Sequence, residues 1–366
     1  MRSVFSRCSG TISIPCTVQA MFSPGIRSER RPSTLCRTRS NAWSIDMTGN
    51  PVIAQRLKND LRLPVMAAPM YIASTPALAI AQCRAGIIGS IPALNARTPE
   101  QLEAYLTEIE TGLAGCATPY AVNIVAHRTN DRLQSDVEIA LRHRVPIVVL
   151  ALAARADIIE AVHAYGGLVF NDVVNNRQAR KCAELGVDGI VAVAAGAGGH
   201  TGSVSPFALV AEIREWWQGP LALAGSIASG RAVLAAETLG ADFAYIGSPF
   251  LAAVEANTQP EFKQMIVDSD SSDIVLTNCF TGATAAFLKP SLIANGLDPN
   301  KLVRPEGAGV NIAGGGSSSK AWRDIWSAGQ GIGAVKRAMR AQDFVEQIAT
   351  EYAQARSAMA RPPSGL

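Results

Sequence analysis

What this 366-residue chain lacks narrows its function before any motif is read. Its seven cysteines (Cys8, Cys16, Cys36, Cys83, Cys116, Cys182 and Cys279) include no Cys-x-x-Cys pair and no Cys/His cluster at zinc spacing, so no structural metal is expected. With 48% hydrophobic residues the chain can bury a large core without disulfide staples, which points to a reducing, cytoplasmic compartment. No uninterrupted apolar run approaches the roughly 18 residues of a membrane-spanning helix, so a soluble protein with no membrane partner is expected. The formal charge is only +3, and no Lys/Arg block is interleaved with the sparse aromatics, which argues against nucleic acid as a partner. Lysine is missing from the first 45 residues, where seven arginines and nine serines stand beside one acid, Glu29. Residues 1–46 therefore read as an organelle-targeting leader, or as sequence upstream of a true start at Met47, and are set apart from the fold.

What is present begins at residue 50 as a repeating beat of apolar strand, turn and amphipathic helix. Strands are expected over 63–70, 86–93, 120–126, 145–152, 168–174, 189–195, 221–226 and 243–248. Helices fall between them over 75–85, 98–113, 130–143, 155–165, 176–186, 205–217 and 229–239. Thr98-Pro99-Glu100 opens one of these with a cap and a first-turn proline, and Tyr165-Gly166-Gly167 and Leu185-Gly186 close others. The strands are continuously apolar rather than alternating, which marks parallel strands covered on both faces. Eight such units over about 200 residues predict a closed parallel (β/α)8 TIM barrel spanning 47–251. The alternative, a doubly wound open sheet, lacks its fingerprint, since no Gly-x-Gly-x-x-Gly opens a helix after the first strand. Residues 252–320 form an insertion after strand eight, ending in a Gly/Ser-rich linker from 308. Residues 321–366 return to the barrel, with a helix over 334–359.

A barrel of this kind does its chemistry at the C-terminal ends of its strands, and the unusual residues fall there. Strand one ends in Ala67-Ala68-Pro69-Met70, strand three carries Asn123, and strand five carries Asn171 and Asp172. Strand six empties into Gly196, Gly198, Gly199, His200 and Gly202, a loop whose backbone can approach a ligand closely and whose imidazole can be neutral or charged near pH 7. Taken alone, that loop is equally well a flexible turn with a surface histidine. Strands seven and eight end in glycine/serine turns, Gly225-Ser226 and Gly247-Ser248, where barrels of this type hold a phosphate on backbone N–H groups.

Together these residues resemble the nitronate monooxygenase family, formerly the 2-nitropropane dioxygenases. The resemblance rests on Ala68-Pro69-Met70, Gly198-Gly199-His200-Thr201-Gly202, the run 224–231 (Ala-Gly-Ser-Ile-Ala-Ser-Gly-Arg), the run 246–251 (Ile-Gly-Ser-Pro-Phe-Leu) and Asp324-Ile-Trp-Ser-Ala-Gly329, and runs from about Leu63 to Met339. It implies FMN at the barrel mouth. Ala68, Pro69 and Met70 would pack near the ring system, Asn123 would hydrogen-bond it, Gly198 and Gly199 would line it, and Gly225, Ser226, Gly247 and Ser248 would hold the phosphate. His200 matches the family's active-site base, which would take the α-proton of a small nitroalkane substrate before oxygen completes a monooxygenation. One departure stands out: some relatives place a lysine on strand five, where this chain reads Phe170-Asn171-Asp172, which implies either a subfamily with a different substrate or an Asp172 that binds the ribityl hydroxyls. Two other readings stay open, a flavin barrel that reduces quinones or enoyl thioesters with a nicotinamide coenzyme, and a barrel that binds flavin or a phosphorylated metabolite without turnover.

Of the remaining histidines, His143 and His163 read as structural, and His127, after strand three, is a candidate for touching substrate. Cys83 and Cys279 read as apolar fillers, and Trp216 and Trp217 as core or subunit-interface packing. The resemblance also implies that the insertion at 252–320 is a small helical cap over the barrel mouth, in which Thr281-Gly282 and Phe287-Leu288-Lys289-Pro290 would line substrate.

Overall fold

The structure, a computed structural model, describes residues 48–304 and 322–360. The leader at 1–46 and the Gly/Ser linker from 308 to 320 lie outside the described residues. Within them, the expected beat becomes eight parallel strands: β1 (Val65–Ala67), β2 (Gly89–Pro92), β3 (Tyr120–Val125), β4 (Ile147–Ala151), β5 (Leu168–Val173), β6 (Gly189–Val193), β8 (Leu221–Ala224) and β9 (Phe243–Ile246). The short β7 (Gly199–His200) lies between β6 and β8 in the chain but pairs elsewhere. Sheet order is β1-β9-β8-β6-β5-β4-β3-β2, and β1 meets β2 through Ala67 N–H to Ile88 O (2.7 Å) and Ile88 N–H to Val65 O (3.1 Å), which closes the barrel.

The helices start where side chains can satisfy the first free N–H groups. Asn50, Thr75 and Thr98 each cap a helix whose first residue is proline: α1 (Pro51–Asn59), α2 (Pro76–Arg84) and α3 (Pro99–Gly112). The outer layer continues with α4 (Leu133–Arg142), α5 (Ala156–His163), α6 (Asn176–Glu184), α7 (Pro206–Arg214) and α8 (Gly230–Leu239). Their apolar faces pack on outward strand residues such as Val122, Val148, Val169 and Ile190, all fully buried. The inward residues form a second core, in which Met66, Ile147, Phe170, Val191 and Phe243 fill the barrel and Ala54 and Leu57 of α1 join them. Phe170 fits because β6 opposes it with Gly189, where a Cβ would come within 2.3 Å of Phe170 Cε1.

After β9 the chain makes a one-turn α9 (Ser248–Leu251) and then the insertion, with α10 (Pro260–Asp268) and α11 (Lys289–Ala294) as its helical part. The insertion also contains a hairpin that sequence reasoning does not anticipate. Strands β10 (Ile274–Thr277) and β11 (Ala285–Leu288) pair antiparallel, and β11 pairs in turn with β7, joining the insertion to the glycine loop. The last helix, α12 (Ala341–Met359), starts later than expected because Gln330–Ala334 winds as a 3-10 turn whose glycines pack against their neighbours, with Gly331 set close to Ser226. It lies along α8 and α2, with Phe344, Val345 and Ile348 buried. No helix among the described residues is long and apolar enough to cross a membrane.

Candidate active site

A cavity of about 570 Å³ opens at the C-terminal ends of the barrel strands. His200, Ala68, Pro69, Met70, Asn123, Asp172, Gly198, Gly199, Gly225, Ser226, Gly247 and Ser248 all line it, so these twelve residues, scattered over six strand ends in the sequence, meet in one place. Side chains alternate along a strand, so the residue two beyond an inward one also points inward. Phe170, Phe243 and Ala121 sit in the barrel interior, and two positions on from them stand Asp172, Tyr245 and Asn123. The barrel interior thus ends in a polar layer, which is the cavity floor.

That floor is unevenly satisfied. Asn123 Nδ2 donates to Val149 O at 3.1 Å, but Asp172 Oδ1 and Tyr245 Oη are buried with no hydrogen-bond partner among the described residues. Burial pushes the Asp172 carboxyl up to about 7. Burial, and then the nearby Asp172 charge, pushes the Tyr245 phenol well above its ordinary range, so it remains a hydroxyl. Each such orphan costs on the order of 1–3 kcal/mol, a penalty that a ligand with matching polar groups would relieve. Asn171 faces the other way, and its amide donates to Asp172 O at 2.8 Å.

The wall is the glycine loop. After β6 the chain turns so that Gly199 and His200 pair with Ala286 and Ala285 of the hairpin, and Thr201 N–H donates to Thr284 O at 3.1 Å. On its other side the returning segment presses in: Gly199 N–H donates to Ser327 Oγ (2.9 Å), and Gly329 N–H to Ser248 Oγ (2.7 Å). Only glycine fits at 198, because a Cβ there would lie 2.8 Å from Gly329 N and 3.0 Å from Ala328 C. His200 is therefore held from two sides, with Trp322 edge-on to its ring at 5.4 Å and Thr281 Oγ1 3.1 Å from Nε2. Burial lowers its pKa to about 4, so the imidazole is neutral at pH 7.

The two glycine/serine turns follow the neighbouring strands β8 and β9 and lie against the glycine loop, with Ser226 Oγ close to Gly196 and Ser248 Oγ close to Gly198. Ser226 adopts left-handed φ (+58°), and its N–H is already committed to Gly196 O at 3.2 Å. The helix behind it, α8, offers less to an anion than the sequence implied. Ser229 Oγ takes the Ala232 N–H, and the Glu351 carboxylate from α12 takes the Gly230 N–H at 2.8 Å. Among the described lining residues the one cation is Arg323, which is held by Asp324 through two 3.0 Å contacts.

Several expectations need correction. None of Thr281, Gly282 or 287–290 lines the cavity. Phe287 and Leu288 are fully buried, Lys289 Nζ turns to Ser272 O (2.7 Å), and Thr281 meets His200 instead. His127 also lies off the cavity, with Nδ1 2.9 Å from Thr129 Oγ1. His143 bridges Glu103 and Glu110 at 2.9 Å each, and His163 sits 2.8 Å from Asp188, which raises its pKa through that hydrogen bond. Cys83 is a buried thiol whose pKa burial pushes up to about 12, and Trp217 is core. Sequence reasoning missed Tyr245 as a site residue and Trp322 as the neighbour of His200. Counting by twos from Phe243 would have found Tyr245, whereas nothing in the sequence brings Trp322 against His200.

A family model described as nitronate monooxygenase matches residues 55–351. A nitronate monooxygenase of Neurospora crassa is 30% identical over 288 residues, covering 68% of this chain and 72% of that protein. A Mycobacterium tuberculosis protein with a provisional monooxygenase name is 32% identical over 231 residues, covering 59% of this chain, which spans only 61% of that relative's length. Among solved structures, a nitroalkane oxidase from Streptomyces ansochromogenes shares the fold, with a TM-score of 0.69 and 24% identity over 83% of this chain and 100% of its own. The barrel, the loop carrying His200 and a family match that spans most of the chain agree: this protein belongs to the nitronate monooxygenase family of flavin-type oxidoreductases.

Proposed function

We propose that this protein holds FMN in the barrel cavity and oxidises nitroalkanes, through their nitronates, with oxygen to a carbonyl compound and nitrite. The observation that carries the reading is a neutral imidazole, His200, fixed on the wall of a cavity whose floor presents unpartnered polar groups. The residues present fit the cofactor. The volume lies within the range of cofactor pockets. The orphaned Asp172 carboxyl and Tyr245 hydroxyl suit ribityl hydroxyls, and Asn123 suits a polar ring edge. Gly247, whose added Cβ would come 3.2 Å from Ala68 Cβ, leaves a slim apolar slot with Pro69 and Met70 for the ring. Gly198 and Gly199 also line the cavity, and Gly225, Ser226, Gly247 and Ser248 would provide one phosphate position. When bound, the flavin would supply the electron transfer from nitronate to oxygen.

His200 supplies the proton chemistry. A neutral imidazole accepts the α-proton of a nitroalkane, and the C–H electron pair moves onto the nitro group. Burial makes His200 a weak base on its own, but the nitronate anion forms beside the new imidazolium, and that charge pair offsets the desolvation as the proton transfers. His200→Asn should lower turnover of neutral nitroalkanes by on the order of 10²–10⁴-fold while the flavin stays bound. Pre-formed nitronate needs no proton removed, so its oxidation should change much less. Equal losses on both substrates would make His200 a binding residue. No loss on either would overturn the reading in favour of a reductase of quinones or enoyl thioesters.

A further inference from the structure

We infer that Thr281 is a positioning residue that fixes the tautomer of His200, holding the proton on Nε2 and leaving Nδ1 as the basic nitrogen. This rests on the proposed role of His200 as the base, and it assigns the insertion's hairpin a part in the chemistry. Thr281 stands on the turn between β10 and β11, which Gly282 N–H to Asn278 O (2.9 Å) and Cys279 N–H to Thr277 Oγ1 (3.1 Å) tighten. The turn places the Thr281 hydroxyl against His200, and the residue is 3% exposed.

The assignment follows from counting protons. A threonine hydroxyl has one hydrogen to give and lone pairs to receive. Thr281 Oγ1 donates that hydrogen to Ala283 O at 3.0 Å. Its 3.1 Å contact with His200 Nε2 must then be one in which Nε2–H donates and the hydroxyl accepts. A neutral imidazole carries one N–H, so Nδ1 is left with its lone pair, and it has no protein partner among the described residues. The chain Nε2–H to Thr281 to Ala283 O also fixes the ring plane, together with the edge contact to Trp322. When Nδ1 takes a proton, the positive charge is shared with Nε2–H, and the hydrogen bond to Thr281 strengthens.

The test compares Thr281→Val, which keeps the shape and removes the oxygen, with Thr281→Ser, which restores it, both as holoenzyme. The direct readout is the ¹⁵N spectrum of the His200 ring at pH 7, assigned by its loss in His200→Asn. The unaltered protein should show a protonated Nε2 and a bare Nδ1, Thr281→Ser should match it, and Thr281→Val should show a tautomer mixture. In turnover, Thr281→Val should lower kcat on a neutral nitroalkane by about 3- to 10-fold, the size of one hydrogen bond. It should leave oxidation of pre-formed nitronate nearly unchanged, and Thr281→Ser should recover the loss. A protonated Nδ1 in the unaltered protein, or a Thr281→Val spectrum identical to it, would overturn the assignment. Because the spectra need no substrate, a protein without nitroalkane turnover would refute the proposed function and still leave the tautomer decided.

Discussion

Asp172→Asn should stabilise this protein in alkali and do nothing in acid. The carboxyl is pushed up to about 7 by burial, against an ordinary 3.8, so between those values the folded protein holds a proton that the unfolded chain has released. Stability is therefore full below pH 3.8 and is lost as pH rises toward 7. A carboxyl displaced that far is worth about 4 kcal/mol once it is fully ionised. That figure is a ceiling, because the side chain faces the cavity and solvent there relieves part of the desolvation. Asparagine does not titrate, so the gap between variant and parent should open from near zero at pH 4 to a plateau above pH 7.5. His200 has the opposite sign: its pKa falls from 6.5 to about 4, so its contribution is present above 6.5 and lost as pH falls through that window. It is common to both proteins and cancels in the difference. Urea unfolding from pH 4 to 8.5, with and without added FMN, measures the gap directly. A gap that does not change with pH, or a variant less stable than the parent in alkali, would show that the carboxyl is solvated and ionised, and the account of the cavity floor would fail.

Two further outcomes are expected. Gly198→Ala should push the returning segment off the glycine loop, since the Cβ meets backbone atoms at 2.8 and 3.0 Å that cannot rotate away; a loss of about 1–3 kcal/mol in unfolding free energy and weaker FMN binding are expected, and an unchanged Tm would refute the close packing. Denaturation of the purified protein should release FMN rather than FAD, because the proposed turns, Gly225-Ser226 and Gly247-Ser248, would hold one phosphate; release of FAD, or failure to reconstitute with FMN, would refute that reading.

The barrel is legible in the sequence because the determinants of its elements are local. Continuous apolar runs separated by Thr-Pro and Asn-Pro caps need no tertiary information, and each becomes a strand or a helix close to its expected limits. The expected strand ends are too long where the chain leaves the ladder by a backbone twist that residue type does not announce. Leu152 and Ser226 take φ of +72° and +58°, so β4 stops at Ala151 and β8 at Ala224. The hairpin at 274–288 is not legible at all. Its strands are short, its turn carries no Asn-Gly or Asp-Gly signal, and its partner is a two-residue strand far back in the chain. The same long-range pairing is what brings Thr281 to His200, which explains why sequence reasoning gives that residue to the substrate rather than to the histidine.

The polar floor shows a different limit. Asp172 stands out in the sequence as an acid at the end of an apolar strand, but Tyr245 is hidden in an apolar strand, where an aromatic is ordinary core. What separates the two cases is the inward register. Once Phe170 and Phe243 are known to fill the barrel, Asp172 and Tyr245 follow by the two-residue period as the next layer toward the mouth. A packed barrel could end in apolar side chains there at no cost. This one ends in a carboxyl and a phenol that have no partners among the described residues, and such groups are tolerated at sites where a ligand completes them. The neutral His200, by contrast, has its hydrogen bond already made on the wall. The cavity is thus divided by chemistry: a floor whose unmet hydrogen bonds favour a polyhydroxylated ligand, and a wall whose neutral histidine is already held by its neighbours, as the proposed proton transfer requires.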